Sequence, residues 1–237
     1  HVSAPLLKAF LVNSASYRGD QTEIVEKLDR ITTKRWLDVL GHGFPDSARA
    51  TDCDDYSILL FHQGEIEVDQ VAFFSIPVPV ELSESTAKKR ITVTLAHYPE
   101  VQKWGLESYY GVDLKWRMFR GDVDRDAVIE SMSTDPDNQG NESEEPESPN
   151  ELKFDHGVTR RSRGTVQHDS CDWREHREDF SVNHYTLVVG AYPKWQRKVE
   201  PNSFAIVVRI EDLGGTVEIY NRVTSKLDVL IEEQIEN

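Results

Sequence analysis

From Cys53 onward, apolar residues recur at every second position. Arg90-Ile91-Thr92-Val93-Thr94-Leu95 alternates strictly and puts Ile91, Val93 and Leu95 on one face. The stretch from Val112 to Met118 does the same with Val112, Leu114, Trp116 and Met118. Short apolar runs follow the same logic at Ile58 to Phe61, Val71 to Val80 (ending in Pro77 and Pro79), Gly164 to His168, His184 to Ala191, Ser203 to Ile210 and Thr216 to Tyr220. A strand with one apolar face must lay that face on another layer. Many such strands, separated by turn residues, predict an antiparallel β-sandwich of jelly-roll-like form.

The first fifty residues have a different period. Ser3 can cap a helix with Pro5 in its first turn, and Leu6, Leu7, Phe10 and Leu11 share one face at helical spacing. A second helix is predicted from about Thr22, capped by Asp20 or Thr22, with Ile24, Val25, Leu28 and Ile31 as its stripe. A third carries Trp36, Leu37 and Leu40 and stops at Gly41. Gly41-His42-Gly43-Phe44-Pro45-Asp46 reads as a hinge into a short helix over Ser47 to Thr51. One more helix is expected from Asp124 to Met132. The fold class is therefore mainly β with an α-helical N-terminal segment. The expected division is a helical part over 1–52 and a β-sandwich over 53–237.

Charge is unevenly spread. The chain has a net charge of -15. Between Asp122 and Asp155, twelve acidic side chains face only Arg125 and Lys153. From Ser133 to Asn150 there is no aliphatic or aromatic side chain, so this segment has nothing to bury and is expected to be an acidic flexible insertion at about 133–150. The acidic balance argues against nucleic acid as a partner, since phosphate contacts need a basic surface. No apolar run approaches the roughly 18 residues that span a bilayer, so no membrane insertion is expected. Nothing near His1 resembles a signal peptide, and a helical pattern already under way there suggests a fragment of a longer protein.

Motifs that carry chemistry are scarce. His168, Cys171 and His176 lie close in sequence, but the second half of a zinc motif is missing. His42 between two glycines resembles a serine-peptidase histidine, yet Phe44 stands where threonine should. The phosphate loop GxxxxGK[ST], HExxH and GxSxG are absent. Cys53 and Cys171 form no CxxC pair. Arg160, Arg161 and Arg163 read as a solvated basic loop. Trp104, Tyr109 and Tyr110 could line a sugar-binding face or belong to the core. No catalytic, metal-binding or cofactor-binding residue is assigned.

Several strings together resemble one family. Pro5-Leu6-Leu7-Lys8-Ala9-Phe10-Leu11-Val12-Asn13-Ser14-Ala15 is similar to a helix that packs on the central sheet in subtilisin-like serine peptidases (subtilases). Gly41-His42-Gly43-Phe44-Pro45-Asp46, with Ala48 and Ala50, resembles the turn and helix that close their catalytic domain. Ile76-Pro77-Val78-Pro79, Lys89 to Ala96, Arg163 to His168, Tyr185 to Val189 and Val217 to Tyr220 resemble the C-terminal extension of a bacterial branch. The departures are His97-Tyr98-Pro99, where the family has an aromatic, Pro-rich turn, and the acidic insertion. The resemblance implies a β-sandwich that follows the last helices of a subtilisin-like α/β domain. It also implies a Ser/His/Asp triad upstream of this chain, a cytoplasmic location, and as partners the upstream peptidase domain and an AAA-type ATPase.

Two functions follow. In the first, the chain is the non-catalytic C-terminal part of a subtilisin-like endopeptidase, stabilising the peptidase domain or docking substrate or partner. The face of Leu6, Leu7, Phe10 and Leu11 should then be exposed or rearranged. In the second, the chain is a free-standing β-sandwich that binds protein or carbohydrate, signalled by exposed aromatics around Trp104 to Tyr110.

Overall fold

A computed structural model describes residues 1–17, 37, 40–102, 109–133, 150–162, 164–173, 183–196, 201–224 and 231–235. Eight strands make two antiparallel sheets: β1 (Ser57–Ile66), β2 (Val71–Pro77), β3 (Lys89–Tyr98), β4 (Val112–Arg120), β5 (Val166–Trp173), β6 (His184–Pro193), β7 (Asn202–Asp212) and β8 (Ile231–Ile235). Among the described residues six helices lie around them: α1 (Ala4–Asn13), α2 (Ser47–Thr51), α3 (Val80–Glu84), α4 (Arg125–Ser133), α5 (Val158–Arg161) and α6 (Ile219–Thr224). The sheet orders are β1-β7-β3-β5 and β4-β6-β2-β8. Each strand thus lies in the opposite sheet from the strand before it. β1 pairs with β7, β2 with β6 and β3 with β5, nested about β4. This is the wrapped-ribbon order of a jelly roll.

The expected alternation is what builds the core. Ile91, Val93 and Leu95 from the first sheet meet Val112, Leu114, Trp116, Met118, Leu187 and Val189 from the second. The outer face of the second sheet is also covered, because Val128, Ile129 and Met132 of α4 pack on Phe73, Phe119, Val188 and Tyr192. The helix expected after Asp124 therefore forms, and its apolar side closes that face. α2 forms over the expected residues, with the Asp46 carboxylate accepting from Ala48 N and Arg49 N at 3.0 and 3.1 Å.

Three local expectations are corrected. Thr216 to Tyr220 is not a strand. The Asp212 carboxylate accepts from Gly214 N, Thr216 N, Thr216 Oγ1 and Val217 N, which turns the chain and starts α6 beyond it. Val217, Ile219 and Val223 still reach the core, so their spacing marks burial rather than strand. The apolar run from Val71 splits at its prolines into β2 and α3. Arg161 is not solvated but buried. The expected second helix, most of the third, and residues 134–149 of the acidic insertion lie outside the described residues; Leu37 and Leu40 are helical, and Gly41 follows at φ +61° with its N–H donating to Leu37 O.

Candidate functional site

The outer face of the first sheet carries the N-terminal layer. Ser3 accepts from Leu6 N at 3.2 Å and caps α1, with Pro5 in the first turn. The sheet-facing line is Leu6, Ala9 and Asn13, with Phe10 partly covered, not the expected line of Leu6, Leu7, Phe10 and Leu11. The rearrangement has a steric cause. Ala9 meets Ala96, Ala205 and Val207, so small residues on both sides bring the helix close to the strands. Leu7 and Leu11 are left 56% and 42% exposed, and Phe61 on β1, 5.3 Å from Phe10 between ring centroids, is 60% exposed.

Polar groups pin this layer. Asn13 Nδ2 donates to Thr94 Oγ1 at 3.1 Å and, at longer range, approaches Val207 O and Thr92 O. Ser14 Oγ donates to Leu11 O at 2.8 Å and accepts from Asp46 N at 3.1 Å, tying the end of α1 to the start of α2. Ser16 and Phe44 exchange two backbone hydrogen bonds at 3.0 Å. Gly43, at φ +88°, permits that bridge, because a Cβ there would lie 2.5 Å from Ser16 O. Arg49 holds Glu211 of β7 through two contacts of 2.8 and 2.7 Å.

The 41–46 turn lays His42 edge-on against His168 of β5, with ring centroids 5.3 Å apart. His168 Nδ1 lies 2.8 Å from Thr94 Oγ1. Thr94 Oγ1 accepts from Asn13 and keeps a second lone pair and its own proton, so it can pair with His168 Nδ1 in either ring tautomer. Burial lowers His168 to about 3, helped by His42, His156, Arg49 and Arg90. Part of the His168 surface still meets solvent, which moderates the effect of burial without reversing its direction. Burial also lowers His42, with His156 adding to it. Ring atoms Nδ1 of His42 and Nδ1 of His156 are buried and find no hydrogen-bond partner among the described residues. Thr94 is fully buried beneath α1, so the Thr94–His168 contact cannot meet a substrate. It ties β3 to the edge strand β5 on the face that α1 covers.

A second polar cluster sits inside the sandwich. Arg161 Nη2 donates to Trp116 O at 2.9 Å, and its guanidinium carbon lies 3.8 Å from the Trp116 ring centroid. Nη1 is 3.7 Å from Asp169 Oδ2. Asp169 also accepts from His156 N at 3.0 and 3.2 Å and from Ser170 N at 2.9 Å. Burial lowers Arg161 to about 10 and raises Asp169, each opposed by the other's charge. Arg161 therefore remains a cation at neutral pH.

The zinc candidates do not converge. Asp169 and Cys171 face the interior side of β5, whereas His168 faces the α1 side, so His168 and Cys171 point to opposite faces; His176 lies outside the described residues. Among the described residues no group of three or more His, Cys, Asp or Glu side chains is arranged to hold a metal ion. Tyr109 is 64% exposed, Tyr110 is part-covered beside His97, and Trp104 is outside the described residues. Asn13, Thr94 and the Arg161–Asp169 pair escaped sequence reasoning. The available signal was Gln167 and Asp169 at interior positions of β5, since polar residues on an apolar face need partners.

No family model matches the chain. It is 28% identical over 225 residues to a Sinorhizobium fredii protein named "Uncharacterized protein y4bN", a match that covers 95% of this chain and 50% of that protein. The chain thus spans about half the length of the curated relative it matches. Among solved structures, that of tomato aspermy virus overlaps at a TM-score of 0.31 and 15% identity, covering 83% of this chain and 95% of that one. Infectious bursal disease virus, Gx strain, overlaps at 0.32 and 10% identity, covering 70% and 35%. At such scores the assignment of the fold rests on strand order alone. Among the described residues no helix is long and apolar enough to cross a membrane.

Proposed function

We propose that this chain is the non-catalytic C-terminal part of a cytoplasmic subtilisin-like serine endopeptidase. It would stabilise the peptidase domain or dock a substrate or partner, and the AAA-type ATPase implied by the family resemblance is a candidate partner. The reading is carried by the outward face of α1. Leu7 and Leu11 are open to solvent although the helix has a fully built packing face beneath it, with Phe61 exposed beside Phe10. An apolar surface of this kind on a docked helix fits coverage by further protein. The twofold length of the Sinorhizobium fredii relative leaves room for such a domain. The parent would cleave peptide bonds with an upstream Ser/His/Asp triad and an oxyanion hole.

The test is reconstitution. Mixing this chain with the separately expressed upstream segment of its gene should yield casein cleavage, with a fluorophosphonate label on the upstream piece. A Leu7→Lys/Leu11→Lys variant should keep its circular dichroism spectrum and lose the effect. An upstream segment without a triad, or equally active alone, overturns the reading.

One observation favours the alternative of a free-standing β-sandwich binding protein or carbohydrate. Tyr98 and Tyr109, at the two ends of the β3–β4 connection, are 67% and 64% exposed. Oligosaccharide titration read by tyrosine and tryptophan fluorescence should then saturate, and a Tyr98→Ala/Tyr109→Ala variant should not.

A further inference from the structure

Where the N-terminal layer meets the first sheet, cationic and cation-forming groups collect from five places. The turn supplies His42, α2 supplies Arg49, β3 supplies Arg90, β5 supplies His168, and the segment before α5 supplies His156. α1 contributes the neutral Asn13, and β7 contributes Arg209, which donates to Arg49 O. Among the described residues, four acids near this region already have partners. Glu211 of β7 holds Arg49, Asp172 of β5 holds Arg90 (2.8 Å) and Lys88 (2.6 Å), Asp46 caps α2, and Asp169 turns inward to Arg161. Burial and Asp172 raise the carboxyl of Asp155, which lies at the exposed edge of this region.

We propose that this cluster is an acid-sensitive latch: protonation of His42 and His168 lifts α1, the 41–46 turn and α2 from the sheet while the sandwich stays folded. Protonated, His168 turns donor toward Thr94, and the His42 and His168 rings, 5.3 Å apart between centroids, carry like charges across the seam between the 41–46 turn and β5. The new charge also stands near His42, Arg49 and Arg90, whose nearest described carboxylates, Glu211 and Asp172, already hold the two arginines. The layer is tied down by one short apolar line, Leu6 and Ala9, and a few polar contacts, whereas the sandwich has its own separate core.

The sign follows from linkage. Both imidazoles are lowered while the layer is closed and return toward 6.5 when it opens. The closed layer is therefore fully favoured above pH about 6.5 and loses stability as pH falls below it, by at most about tenfold in the opening equilibrium per pH unit from His168, with His42 acting in the same direction. His62, against Phe74 and Phe204, and His97, inside the end of the sandwich, are also lowered by burial, but they report on unfolding of the whole.

Hydrogen exchange on the whole chain at pH 7.5, 6.5 and 5.5, corrected for intrinsic rates, tests this. Amides of 6–14 and 46–51 should lose about five- to thirtyfold protection between pH 6.5 and 5.5 while those of β3, β6 and β7 hold. A His42→Gln/His168→Gln variant should flatten that change. The proposal is overturned if α1 keeps its protection, if α1 and β7 lose it together, or if the double variant behaves as the native chain. Should the variant not fold, proton NMR titration of the native chain decides: midpoints of 6 or more at both His42 and His168 overturn the latch, and depressed midpoints accompanied by loss of α1 signals support it.

Discussion

Arg161 places a full positive charge inside an apolar sandwich, stacked on Trp116 and Phe154 and answered by Asp169. Neither charge has water to fall back on, so removing one strands the other. Arg161→Met is expected to cost about 3–5 kcal/mol, read from urea unfolding. Adding Asp169→Asn should recover part of the loss, since the stranded carboxylate is what costs most. Asn13 is the counterpart outside the core. Asn13→Ala leaves Thr94 Oγ1 without its donor beneath α1 and should cost about 1–3 kcal/mol, and hydrogen exchange should locate that loss in α1 rather than in β7.

Between β7 and α6, four donors converge on Asp212. Burial pushes its carboxyl up, but the hydrogen bonds from Thr216, Gly214 and Val217 outweigh this and hold it below the usual value. A carboxyl lowered by folding contributes stability that is present above its unfolded value of 3.8 and lost as pH falls through the folded one. Asp212→Ala should therefore lower the urea midpoint at pH 7 and flatten the dependence of stability on pH below about 4. Such a turn is also where the sequence stops being legible. Strict alternation at Ile91, Val93 and Leu95, and at Val112 to Met118, reports a local constraint, one buried face, and is readable from the order of residues alone. Val217 and Ile219 satisfy the same alternation while lying in a turn and a helix, because burial is what the pattern encodes. On α1 the apolar spacing named Leu7 and Leu11, but the small Ala9 and polar Asn13 set the contact, since what they touch is on β3 and β7. The Thr94–His168 and Arg161–Asp169 pairs join residues far apart in the chain or on separate elements, and no local pattern records them.

At the scale of the molecule, nested pairing makes nearly every sheet contact long-range, from Ser57↔Glu211 at the outside to Lys89↔Trp173 nearer the centre. Loop closure must precede each pairing, so refolding from urea, followed by tryptophan fluorescence, should proceed in milliseconds to seconds rather than microseconds. The same nesting governs how the chain is made. β1 and β7 are opposite edges of one folded ribbon, and β7 is the last strand of that ribbon to be synthesised. At roughly 5–20 residues per second, the ribosome takes about eight to thirty seconds to pass from Ser57 to Glu211. Within that interval Ile58, Leu60 and then the inward residues of β2 and β3 are made before the strands that will cover them, so their apolar faces stay open until β5, β6 and β7 follow.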